Sequence, residues 1–273
     1  MNYMKGVFFK GALLVLFSGI LWQCSTVPFT GRKQVNLLPE SEMVSMGISN
    51  YRAFLDTTPV VTRGTEQALV KKVGGKIAAA VENFFQDNQQ NDRLQYFDWE
   101  FQLVEDEVPN AWCMPGGKVV FYTGILPYCR DEEGMAVVMG HEIAHAVARH
   151  GNERMSQALL VQMGGIALSV AIDQKPEETK QWFMAAYGIT SSLGVILPYS
   201  RAHETEADQL GLIFMTMAGY HPESAIDFWE RLAAAGGRKP PEFLSTHPSD
   251  EKRIRDMKAF LPKARKYQPV HSE

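Results

Sequence analysis

The strongest constraint on the fold is a histidine-rich stretch near the middle of the chain, residues 135–151, which read MAVVMGHEIAHAVARHG. Apolar residues recur there at helical spacing, Asp131 can cap the helix N-terminus, and Gly151 can end the helix. On a helix, positions i and i+4 lie about one turn apart on one face. The sequence therefore predicts a helix that presents His141 and His145 to the same metal ion.

The HExxH pattern of residues 141–145 is typical of zinc peptidases. In such sites two neutral imidazoles bind Zn²⁺, and the glutamate takes a proton from the metal-bound water. The same spacing also occurs on amphipathic helices that bind no metal. Here the two histidines and Glu142 lie among small apolar residues, where polar groups without partners would be costly to bury. We expect His141 and His145 as ligands and Glu142 as the catalytic base.

A second helical stretch supplies the next candidates. Residues 200–208 read SRAHETEAD, so Glu204 and Asp208 are four positions apart and share a helix face. Glu204 can then reach the zinc as third ligand. Asp208 would not bind the metal itself but would orient one of the ligating histidines. Glu206 projects elsewhere and is expected to be a solvated or structural carboxylate.

Two further histidines are expected to have no catalytic role. His150 follows Arg149 at the end of the HExxH helix, where a cation suits the helix dipole. His203 adjoins Glu204 in sequence but points away from it on a helix.

Composition limits the classes of function. The 273 residues are 45% hydrophobic and 21% charged, which is enough to bury a sizeable core. A catalytic domain is expected over residues 41–262, followed by a tail over 263–273. The formal charge is −4 and no basic block occurs, which argues against nucleic acid as a partner. Cys113 and Cys129 are either a disulfide pair or two buried thiols.

The N-terminus is typical of an export signal. Residues 1–24 contain two lysines, an apolar run and then Cys24, and the run is shorter than the roughly 20 residues that a membrane span needs. Cys24 resembles the lipid-acceptor cysteine of bacterial lipoproteins. Trp22 and Gln23 are bulkier than the residues usual there, so a signal anchor or ordinary cleavage stays open. We expect an exported protein, anchored to a membrane of the cell envelope and facing the periplasm, with residues 25–40 as an extended tether.

The remaining patterns predict an α+β fold, mainly helical, with a small sheet beside the HExxH helix. Apolar spacing indicates helices over residues 41–56 and 65–85, and alternation indicates a strand over 99–104. Two more strands are expected within residues 110–123, joined at Pro115-Gly116-Gly117. The apolar stretches 158–172 and 183–199 are expected to be buried or membrane-surface helices rather than membrane spans.

One strand of the predicted sheet is a candidate substrate-binding edge. In zinc peptidases an extended peptide can add as a strand next to the active-site helix and present its carbonyl to the metal. The candidates for this edge are Asn110, Ala111, Trp112, Cys113 and Met114. A plain structural hairpin is the alternative interpretation.

The combination of motifs resembles a known family. HExxH, SRxxExEAD at residues 200–208, and His247-Pro248 followed by Arg253-Ile254 are similar to the gluzincin metallopeptidases of the HtpX, Ste and OMA type, metallopeptidase family forty-eight. The similarity runs from about residue 99 to residue 260. It implies a zincin-like fold and a metalloendopeptidase that holds one Zn²⁺ per chain through His141, His145 and Glu204.

The general plan of the chain is similar to exported BepA-like lipoprotein peptidases within that family. This resemblance implies unfolded or unassembled envelope proteins as substrates, and a role in protein quality control. His247 resembles a histidine that can sit on the zinc as a fourth ligand and keep the enzyme latent, although a plain loop histidine remains the alternative. A chaperone-like module that binds unfolded envelope proteins, and a membrane-embedded Ste-type processing peptidase, are the other functions that stay open.

Overall fold

The computed structural model describes residues 24–191, 197–235, 243–244, 247 and 251–269. Within these residues the strands are β1 (Cys24–Thr26), β2 (Lys33–Val35), β3 (Glu100–Val104), β4 (Ala111–Met114) and β5 (Lys118–Tyr122). The helices are α1 (Glu40–Thr57), α2 (Thr65–Asp87), α3 (Leu126–Cys129), α4 (Glu132–Val147), α5 (His150–Ala171), α6 (Glu177–Ser191), α7 (Leu197–Met217), α8 (Ser224–Ala234) and α9 (Glu251–Ala264). This is the mainly helical α+β fold that the sequence predicts.

The chain forms two compact units. The smaller unit combines residues up to 40 with residues 151–199, and the larger unit combines 41–150 with 200–273. Every residue predicted to bind or support the metal falls in the larger unit. Residues 151–199 therefore group with the N-terminal segment, and a catalytic domain over 41–262 stays a prediction.

Residues 25–40 do not form an extended tether in the structure. β1 and β2 pair antiparallel, with Cys24 opposite Val35, and Gly31 between them has φ 66°. The Arg32 guanidinium donates to both carboxylate oxygens of Glu153 at 2.8 and 2.7 Å, and the Leu37 N–H donates to Ser156 Oγ at 2.8 Å. These long-range contacts hold the hairpin against helix α5 of the same unit. The composition of residues 25–40 alone could not predict them.

The two apolar stretches of the smaller unit form α5 and α6. Large apolar side chains are exposed on both helices, among them Ile166, Val170 and Trp182 at 59%, 73% and 76%. The buried alternative is therefore wrong for these faces, and the membrane-surface alternative stays a prediction. Residues 192–196 of the second stretch lie outside the described residues. Among the residues that are described, no helix has both the length and the hydropathy that crossing a bilayer requires.

Helix α4 is the core of the larger unit, and every residue from Gly134 to Val147 is buried. Asp131 caps it as predicted, since its side chain accepts a hydrogen bond from the Gly134 N–H at 2.9 Å. The helix ends at Val147 and not at Gly151. Arg149 adopts a positive φ of 60° and the next helix begins at His150, so the chain turns two residues earlier than the glycine indicates.

A three-stranded sheet lies beside α4 in the order β3-β5-β4. β3 runs parallel to β5 and β4 runs antiparallel to it, with Ala111 opposite Phe121. The predicted turn is confirmed. Gly116 and Gly117 have φ 89° and 79°, and a Cβ on Gly117 would lie 2.7 Å from the Trp99 ring. This arrangement makes β4 an outer strand of the described sheet.

Two glycines bring the HExxH helix and α7 into backbone contact. A Cβ on Gly140 would lie 2.9 Å from the Gly211 carbonyl oxygen, which is closer than real Cβ atoms approach. A Cβ on Gly211 would lie 3.0 Å from the backbone N of His141. The absence of side chains at this crossing lets Glu204 on α7 approach the histidines on α4.

We expect Gly140→Ala to destabilise the protein. Forcing two helix backbones apart costs about 1–3 kcal/mol, which exceeds the roughly 1 kcal/mol gained from alanine's helix propensity. Gly75→Ala is the matched control, because Gly75 lies within α2 and its Cβ would meet nothing within 4 Å. Urea denaturation should show Gly75→Ala as neutral or stabilising. Equal midpoints for the two variants would contradict the close crossing.

Candidate metal centre

Four side chains converge at the middle of the larger unit. His141 and His145 come from α4, Glu204 from α7, and His247 from the segment before α9. Each offers one ligand atom, these four atoms lie within 4.8 Å of one another, and all four residues are buried. The structure therefore brings together the three predicted ligands and the predicted fourth.

The distances between these donors fit a small divalent cation. Nε2 of His141 lies 3.1 Å from Nε2 of His145 and 3.4 Å from Glu204 Oε2, and His145 Nε2 lies 3.4 Å from Glu204 Oε1. His247 Nδ1 lies 3.1 Å from His141 Nε2 and 3.0 Å from Glu204 Oε2. Ligands about 2.0–2.1 Å from a tetrahedral zinc lie about 3.3 Å from one another. Three imidazoles and one carboxylate are also a donor set that suits zinc.

Asp208 supports His141 as the sequence predicts. Its Oδ1 lies 3.0 Å from His141 Nδ1, so the ring nitrogen that faces away from the cluster has a carboxylate acceptor. Burial would lower the pKa of His141, but hydrogen bonds to Asp208 and Glu204 raise it to about 9. The negative charge that raises this pKa also favours a bound cation.

Arg253 is the main residue of the site to which sequence reasoning assigned no role. It is 7% exposed, and its Nε and Nη2 donate to the two oxygens of Asp208 at 2.6 and 2.7 Å. Its Nη1 lies 3.2 Å from Glu204 Oε2, and the guanidinium lies 3.7 Å from the Trp229 ring centroid. Burial would raise the pKa of Asp208, but the Arg253 charge lowers it below its usual value. Arg253 thus favours the ionised form of Asp208 and also pairs with Glu204 beside the histidines.

His145 has a supporting residue that the sequence did not predict. His150 is the first residue of α5, fully buried, and its Nδ1 lies 2.8 Å from His145 Nδ1. On the other side, His150 Nε2 lies 3.2 Å from Glu206 Oε2. Glu206 is 4% exposed, so the alternative of a solvated carboxylate is wrong. His203 points away from Glu204, as expected, and its ring stacks on His150 at 4.3 Å.

Glu142 lies beside the cluster without belonging to it. Its Oε1 is 3.3 Å from His247 Nε2, and the residue is 4% exposed. Burial and then the Glu142 charge raise the pKa of the Cys113 thiol well above its usual value, so Cys113 lies within electrostatic reach of this carboxylate. Cys113 and Cys129 are free thiols, which decides between the two alternatives that the sequence leaves open.

The candidate substrate-binding strand, β4, lies at the edge of the described sheet. β4 pairs with β5, and among the described strands it has no second neighbour. The Trp112 ring packs edge-on against Phe54 at 5.2 Å, and its Nε1 donates to Tyr122 Oη at 3.2 Å. These contacts fix the strand in place.

Comparison with known proteins places this geometry in a family. The sequence profile of Peptidase family M48 matches residues 72–261, more than half of the chain. The chain belongs to this family. The mitochondrial metalloendopeptidase OMA1 of Saccharomyces cerevisiae is 32% identical over 277 residues, which cover 92% of this chain and 74% of that protein. This agrees with the resemblance drawn from the motifs.

Two further relatives show how much of a longer protein is matched. The mitochondrial metalloendopeptidase OMA1 of Schizosaccharomyces pombe is 40% identical over 168 residues, covering 61% of this chain and 48% of that protein. The β-barrel assembly-enhancing protease of Yersinia pestis is 24% identical over 251 residues, covering 87% of this chain and 48% of that protein. The chain therefore spans about half the length of these two relatives.

Some predicted features lie outside the described residues. Residues 1–23 of the predicted export signal over 1–24 are among them, as is Pro248 beside His247. Cys24 begins β1, and lipid attachment there stays a prediction.

Proposed function

We propose that the protein is a zinc-dependent metalloendopeptidase in which Glu142 acts as the catalytic base. The observation that carries this proposal is the convergence of two HExxH imidazoles, the Glu204 carboxylate and His247 within 4.8 Å, with Glu142 adjoining. Membership of Peptidase family M48 supports the same reaction class. His141, His145 and Glu204 would hold the zinc, and Asp208 would fix the ring of His141.

Zinc, when bound, would supply a Lewis acid that polarises the scissile carbonyl and makes a water molecule easier to deprotonate. Glu142 takes the proton from that water and then delivers it to the amine nitrogen of the departing peptide. Its position favours this role, because Oε1 lies beside the cluster, 3.3 Å from His247 Nε2, without being one of the four ligand atoms. The cycle needs no covalent intermediate with the protein.

We infer that extended segments of unfolded proteins bind as an added strand on β4. An outer strand offers backbone N–H and C=O groups to any sequence, which suits a protease with many clients. Such clients would be unfolded or unassembled envelope proteins, met by a protein exported through residues 1–24 and anchored at a membrane. One relative is named a β-barrel assembly-enhancing protease, which favours an envelope role, whereas the OMA1 relatives are named mitochondrial metalloendopeptidases.

The proposed zinc dependence is tested by chelation. The full chain, purified in detergent, should cleave unfolded casein, lose that cleavage when the metal is stripped, and recover it when zinc alone is returned. Cleavage that persists after the metal has been removed would contradict the proposal.

His247 is expected to keep the resting site latent. Its Nδ1 fills the fourth position of the cluster and its Nε2 faces Glu142, so it stands where water and a substrate carbonyl must enter. Minor competent states usually hold about a tenth of the population or less, so His247→Ala should raise casein cleavage about tenfold or more.

The matched control for this change is His221→Ala, at an exposed histidine before α8. Zinc content should stay near one per chain in both variants, because three ligands remain. Reduced cleavage by His247→Ala with its zinc retained would show that His247 assists the reaction and does not block it.

A further inference from the structure

The two histidines of the HExxH helix are supported in different ways. His141 donates directly toward a carboxylate, Asp208, at 3.0 Å. His145 has an imidazole, His150, at 2.8 Å from its outward-facing Nδ1. Behind His150 stands Glu206, with 3.2 Å between His150 Nε2 and Glu206 Oε2. The path from His145 to its carboxylate therefore contains one more ring than the path from His141, and both paths end on a carboxylate of α7.

The chain of contacts from His145 to Glu206 permits one consistent set of proton positions. A neutral imidazole has one N–H donor and one acceptor nitrogen. With Nε2 of His145 turned into the cluster as a lone-pair donor, its proton lies on Nδ1 and points at His150 Nδ1. His150 then accepts at Nδ1 and carries its own proton on Nε2, which it donates to Glu206.

We propose that His150 and Glu206 are positioning residues for the metal ligand His145. Together they fix the rotation and tautomer of the His145 ring, as Asp208 does for His141. This inference rests on the proposed zinc site. A carboxylate–histidine pair behind a ligating histidine raises the basicity of that ligand as well as orienting it.

Burial of the pair favours this role. His150 is fully buried and Glu206 is 4% exposed, and a buried carboxylate is costly unless it is hydrogen-bonded. The His203 ring stacks on His150 with a 15° angle between the rings, which holds the His150 plane in line with both partners. The turn at Arg149, φ 60°, places His150 at the start of α5, where its ring reaches back to α4.

The test compares zinc affinity among variants of the full chain in detergent. His150→Phe keeps a stacking ring but removes the acceptor, and zinc binding measured by chelator competition should weaken about 10- to 100-fold. His150→Asn places an amide oxygen near the former Nδ1 and should restore part of that loss. Glu206→Gln keeps the shape but removes the charge, and should weaken binding about fivefold.

A spectroscopic signature separates positioning from packing. In the cobalt-substituted protein, His150→Phe should shift the visible d–d bands, because the His145 ring is no longer fixed. His221→Phe, which makes the same change at an exposed histidine away from the cluster, is the matched control and should leave the bands unchanged. Thermal denaturation of the metal-free variants shows that each one folds.

The outcomes distinguish this inference from the function on which it rests. Wild-type protein that binds no zinc would overturn both. Wild-type zinc binding with His150→Phe and Glu206→Gln unchanged in affinity and in the cobalt spectrum would overturn the positioning role alone. Equal losses for His150→Phe and His150→Asn would also overturn it, because the acceptor atom would then be irrelevant.

Discussion

Glu142→Gln is expected to abolish most peptide hydrolysis while leaving the metal centre intact. A positioned general acid–base group contributes about 10²–10⁴-fold, and glutamine can neither accept nor deliver the proton. The Glu142 side chain lies beside the four-residue cluster and is not one of its ligands, so zinc content should be unchanged. Casein cleavage and metal analysis on the same preparation measure both quantities.

The exposed residue Glu105 gives the matched control for this change. Glu105→Gln alters the charge by the same amount and should leave cleavage near the wild-type rate. Cleavage by Glu142→Gln within a few-fold of wild type would contradict the base assignment. Loss of cleavage with the cellular function retained would instead favour the chaperone-like alternative, since client binding would then carry the function.

Arg253→Met is expected to cause the largest loss of stability. Removing one partner from a buried ion pair leaves an uncompensated charge and costs about 3–5 kcal/mol. Here both Asp208 and Glu204 lose a donor, through contacts of 2.6, 2.7 and 3.2 Å. Urea denaturation of the metal-free protein should reveal the loss, and zinc affinity should fall with it.

Arg255→Met is the control on the same helix. Arg255 is exposed and pairs with Glu251 one turn away, an interaction worth roughly 0.5 kcal/mol or less. The double variant Arg253→Met/Asp208→Leu should regain part of the stability, because the buried Asp208 charge is then gone and only Glu204 still lacks its contact with Arg253. It should not regain zinc affinity, because His141 has lost its acceptor. Equal stability of Arg253→Met and Arg255→Met would contradict the buried network.

The parts of the site that follow one periodicity could be predicted from the sequence. His141 and His145 share a face at i and i+4, and Glu204 and Asp208 do so on a second helix, so spacing alone indicates that each pair projects together. The cap at Asp131 and the glycine turn before β5 are equally local. For these features the residues concerned lie close together in the sequence, so their spacing also indicates their geometry.

The remaining features depend on contacts between distant segments. Arg253 meets Asp208 across 45 residues, and Glu206 meets His150 across 56, so no local spacing indicates either pair. The resemblance to the family included Arg253 but supplied no geometry for it. Glu206 was expected to be either a solvated or a structural carboxylate, and its spacing could not show that His150 contacts it. Residues 25–40 were misjudged for the same reason.

The most direct test of the metal centre is the zinc content of the full chain beside that of its Glu204→Ala variant. The wild type should contain about one zinc per chain, as a closed three- or four-ligand site binds a single ion. Glu204→Ala should lose most of it, while Glu230→Ala, at an exposed carboxylate paired with Lys258, should retain it. A wild type without zinc, or a Glu204→Ala variant that keeps its full complement, would contradict the assignment of this cluster.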